Sequence, residues 1–161
     1  LAMAVLAEAL WDPATPWETV RRRYLEAAFG EAAGFADQYL QRVERFLDTG
    51  DPHWRTPPFS NADADKLAAA AQFLQSAEED ARSQAKAAHD RALACSLDLV
   101  AHHAHFLQFI VRAYQARLEG KPMEAERELD GAEEYLRETE PRYSVYLDID
   151  DRPNRGVSQH R

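Results

Sequence analysis

Three histidines, His102, His103 and His105, stand together in the chain, and Asp98 precedes His102 by one helical turn. Residues three or four apart share a helix face, so Asp98, His102 and His105 can in principle converge on a metal ion. The set lacks the acid-base glutamate of an H-E-x-x-H helix and names no supporting hydrogen-bond shell. A second reading is open: imidazoles that flank an apolar seam and bond between helices. On these residues alone the chain is assigned no catalytic group, no cofactor and no metal, with Asp98, His102 and His105 kept as the metal candidates.

Other chemistry is thinner. Carboxylates crowd at Glu78-Glu79-Asp80, at Glu133-Glu134 and from Asp148 to Asp151. A catalytic pair needs a cleft that holds two of them at a set separation and perturbs one pKa, whereas these fall on expected solvent faces or in the tail. Cys95 is the sole cysteine, so no intrachain disulfide can form; its Ala and Leu neighbours suggest a small buried thiol. No phosphate-binding glycine loop, G-x-S-x-G elbow or CxxC pair occurs. Trp11, Trp17 and Trp54 lie at helix ends or in a loop. Indoles there cap a core or form an interface with a neighbouring domain or a sugar ring.

The element that carries the histidines is the clearest in the chain. Leu93, Leu97, Val100, Ala104, Leu107, Val111, Tyr114 and Leu118 follow at alternating steps of four and three. This spacing holds one side of a helix against a partner through about seven turns. Other helices must cover that stripe. Thr15, Pro16 and Glu18 form a capping box for a helix that Gly30 stops. A further helix over residues 31–48 turns Phe35, Tyr39, Val43, Phe46 and Leu47 inward. Leu67, Ala71, Leu74 and Ala77 line another, and a turn is expected within residues 79–87, where large apolar residues vanish. Gly120, Lys121 and Pro122 turn the chain into a last helix with Ala125, Leu129, Ala132 and Leu136 inward, ended by Pro141.

The expected fold is therefore all-α, a bundle of five to six helices with a long central helix and an extended C-terminal tail. It reads as a single helical domain over residues 1–161: a hairpin region 1–50, a Pro-rich loop 51–60, a bundle 61–140 and a tail 141–161. In that tail Tyr143, Val145, Leu147 and Ile149 alternate with other residues, as an extended segment would.

Composition narrows the class. With 161 residues, 45% hydrophobic and 29% charged, the chain can bury a core without disulfides or metal. Its formal charge of -9 argues against general nucleic-acid binding, which needs clustered Lys and Arg. The one basic run, Arg21 to Arg23, is flanked by Glu18 and Glu26 and reads as a solvated helix face. No apolar stretch approaches the roughly 18 residues of a membrane span, and residues 1–10 lack the basic flank of a signal peptide. The compartment is not indicated.

A resemblance sharpens this reading. The ordered set Leu10-Trp11-Asp12-Pro13, Trp17-Glu18, Arg23-Tyr24-Leu25, Phe29-Gly30 and Tyr39-Leu40 resembles the start of the helical region that follows the catalytic barrel in bacterial proteins of the DUF4838 family. It is more distantly similar to the post-catalytic helical domains of O-GlcNAcase-type and α-glucuronidase enzymes. The likeness covers about the first fifty residues, and the later helices only in layout. It implies a non-catalytic accessory domain, a C-terminal piece of a longer glycoside-hydrolase-like protein. Such a domain packs on a (β/α)₈ barrel of the same polypeptide or on a partner protein, and contributes to dimerisation or to the substrate cleft. The catalytic carboxylates of those families sit on the barrel, so the resemblance places no catalytic residue here. Two alternatives stay open: a free-standing helical protein-interaction domain, and a His-dependent metalloprotein.

Overall fold

The computed structural model describes residue 12, residues 14–47 and residues 64–143. Within them the chain is all-α: α1 (Trp17–Phe29), a 3₁₀ turn (Gly30–Ala32), α2 (Ala33–Leu47), α3 (Ala64–Ala87), α4 (Arg91–Leu118) and α5 (Pro122–Tyr143). The apolar segment 1–11, the Pro-rich loop with Trp54, and the tail beyond Tyr143 lie outside the described residues. Two compact units divide the chain, the first built from Leu1–Asp48 and Glu79–Ala101, the second from Thr49–Glu78 and His102–Arg161.

In the first unit α1 packs on α2 through the tight 3₁₀ turn. Gly30 makes that turn possible: its φ of 49° lies where a side chain would be strained, and its N–H donates to the Glu26 carbonyl. Val20 and Leu25 of α1 are buried, as are Ala36, Tyr39 and Val43 of α2. Phe35 and Phe46, expected on the inner face, are half-buried. Ala36 takes the innermost place, because a small residue lets the two helices approach closely.

The start of α1 corrects the expected capping box. Pro16 is the N-cap, with no side-chain bond to the helix. Thr15 donates its hydroxyl to Oδ2 of Asp12 at 2.9 Å, while Oδ1 accepts from the Ala14 N–H at 3.0 Å. The aspartate thus folds the preceding turn on itself and takes up the threonine that would have capped the helix. Arg21 departs from a solvated face as well: its Nε lies 2.6 Å from Oδ1 of Asp37, tying α1 to α2, and Gln41 donates to the other oxygen of the same carboxylate at 2.7 Å.

α3 runs unbroken through residues 79–87, where a turn was expected. Ala77 and Ala81 carry its buried face onward, so the apolar stripe persists with the smallest residue that can form it. The break comes at residues 88–90 instead. Asp90 starts α4 by accepting the Ala92 N–H at 2.8 Å, a side-chain N-cap.

Along α4 the seam is as spaced: Leu97, Val100, Ala104, Leu107 and Val111 are all buried. At 1.5 Å per residue the helix is about 42 Å long. Its burial extends beyond one stripe, since Ala101, Ala113 and Ala116 are buried too. In the second unit Ala113 and Ala116 cluster with Ala125 of α5, and Leu129 packs beside them. The turn between α4 and α5 is a Schellman cap: Gly120, at φ 71°, donates to the Arg117 carbonyl, and Lys121 reaches back to that of Ala116 at 2.8 Å.

The end of α5 brings one more correction. Pro141 lies inside the helix, which continues to Tyr143. A proline in the last turn removes one backbone hydrogen bond of a ladder that is about to end, so the helix survives it. Tyr143 is therefore a buried helical residue and not the first of an extended run.

Candidate functional site

Apart from the tyrosines Tyr39 and Tyr143, the one buried polar side chain among the described residues is His102, 3% exposed. It belongs to the second unit, on the α4 face that meets α5. Its Nδ1 stands 2.8 Å from the Tyr135 hydroxyl, and its ring stacks on that of Tyr143, centroids 4.1 Å apart. Both tyrosines are on α5, two turns apart, so they hold the imidazole from two places along one helix.

One turn further along α4, His105 faces a different partner. Its Nδ1 is 3.0 Å from both carboxylate oxygens of Glu78 on α3. Gln108 donates its amide to the same carboxylate at 2.7 Å. The Glu78 side chain is 15% exposed, which separates it from its neighbours Glu79 and Asp80, both exposed. The reading of this acidic triplet as a solvent face is corrected for Glu78. It lies one turn after buried Leu74 and one turn before buried Ala81, and so inherits their inward direction.

The two imidazoles meet over Tyr135. Its ring centroid lies 4.6 Å from that of His105 and 5.1 Å from that of His102. Phe109 closes the same side, edge-on to His105 at 5.5 Å and capped by the Arg112 guanidinium at 4.6 Å. Arg112 in turn donates Nε to Glu128 of α5 at 2.7 Å. Room for this layer comes from Gly131: a methyl built there would sit 3.1 Å from Cε1 of Phe109. The result is a stack of aromatic and imidazole rings between α4 and α5, edged by a carboxylate at each end.

His102 is directed to Tyr135 and His105 to Glu78, while Asp98 is half-buried on α4. Among the described residues no three His, Cys, Asp or Glu side chains come close enough to hold a metal ion. His103 is exposed, and Cys95 is a half-buried free thiol. Nor does any buried side-chain nitrogen or oxygen among the described residues lack a hydrogen-bond partner. What the arrangement does chemically is bond donors to acceptors across helices. The imidazoles are well suited to that, since each offers a flat face for stacking and a nitrogen for a directed bond.

Of the interface candidates, Trp17 opens α1 and is 43% exposed; Trp11 and Trp54 lie outside the described residues. Met123, in the first turn of α5, is 75% exposed. An open depression along α3 is lined by Glu79, Arg82, Ser83 and Lys86, all exposed and all from one helix. No helix among the described residues is long and apolar enough to cross a membrane.

Sequence reasoning singled out His102 and His105 but could not find Tyr135, Tyr143 or Glu78 as their partners. The pairs are separated by 27 to 33 residues where the bonds to Glu78 and Tyr135 are made, beyond the reach of any local periodicity. Compared with models of protein families, with curated proteins and with solved structures, the chain matches none.

Proposed function

We propose that this chain is a non-catalytic helical accessory module of a glycoside-hydrolase-like protein, similar to the region that follows the catalytic (β/α)₈ barrel in DUF4838-type proteins. Its action is mechanical: it braces the barrel and offers a face for docking or dimerisation. The observation that carries this reading is the ring stack itself. His102, His105, Tyr135 and Glu78, the residues with the most chemistry to offer, are engaged with one another and set the register of α3, α4 and α5. The half-exposed indole of Trp17 supplies a contact surface suited to a neighbouring domain.

The reading frame upstream of Leu1 tests the proposal. Several hundred residues with alternating strand and helix patterns are expected there. An initiator methionine directly before Leu1 would contradict the accessory role and favour the free-standing interaction domain.

A further inference from the structure

We draw no further inference here: the strongest candidate, the buried cluster of His102, Tyr135 and Tyr143 between α4 and α5, belongs to the site already described and its groups bond one another without pointing to an outside ligand.

Discussion

Nδ1 of His102 lies 2.8 Å from the hydroxyl of Tyr135, 33 residues further along the chain. That bond joins a buried imidazole to the helix that covers it. It fixes both the rotation of α4 and the height of α5 against it, because a directed bond tolerates less sliding than an alanine contact does.

Replacing Tyr135 by Phe keeps the ring and removes the hydroxyl. His102 Nδ1 then loses this partner in a place that water does not reach, which costs about 1 to 3 kcal/mol. Tyr135→Phe is expected to lower the unfolding free energy by that much, read as a lower urea midpoint with an unchanged m value. An unaltered midpoint would show that the hydroxyl is not needed to hold the two helices.

Gly131 and Phe109 make a second pair whose effect can be read by sign. Gly to Ala inside a helix ordinarily stabilises it by about 1 kcal/mol. Here the new methyl would press on a ring flanked by His105, Tyr135 and Arg112. Gly131→Ala alone is therefore expected to destabilise the protein, and the same change in a Phe109→Ala background to stabilise it. Denaturation of the four proteins of this cycle measures the coupling; equal effects in both backgrounds would exclude a steric origin.

Tyr39 gives a pH dependence with a definite direction. Burial raises the pKa of its hydroxyl far above the ordinary phenol value of 10.0, and Tyr114 is raised by burial too, against the opposing pull of Arg117. The folded chain thus keeps protons that the unfolded chain releases. Stability from these groups is complete below the unfolded pKa and is lost as pH rises from about 10 toward the folded values, by up to ~1.4 kcal/mol per pH unit for each proton. Tyr39→Phe should flatten the alkaline decline in urea midpoint between pH 9 and 11. A decline as steep as that of the parent protein would assign the loss to other groups.

Much of the fold was legible because helices advertise themselves locally. The seam from Leu93 to Leu118 shows a period, and Gly30 and Gly120 mark the ends of α1 and α4 by a backbone freedom that other residues lack. Three features were not legible, each for a physical reason. Ala81 continues the buried face of α3 beyond Ala77 without the bulk that makes a stripe visible, so the sequence there reads as a turn. Asp12 competed with the α1 backbone for Thr15, a choice between two local bonds that the residue types alone do not decide. Pro141 lay close enough to the end of α5 that its cost was small. At the site, the types of His102 and His105 drew attention to this face of α4. Their use did not follow from type, because it depends on Glu78 and Tyr135 arriving from other helices. Glu78 itself was hidden by two acidic neighbours that face solvent.

In the accessory role proposed above, the reactive side chains act as fasteners and any catalysis belongs elsewhere. The most direct measurement is aryl-glycoside turnover by the purified chain alone, beside its Glu78→Gln variant. No hydrolysis above the uncatalysed rate is expected from either protein. Turnover by the parent chain that disappears with the Glu78→Gln change would contradict it.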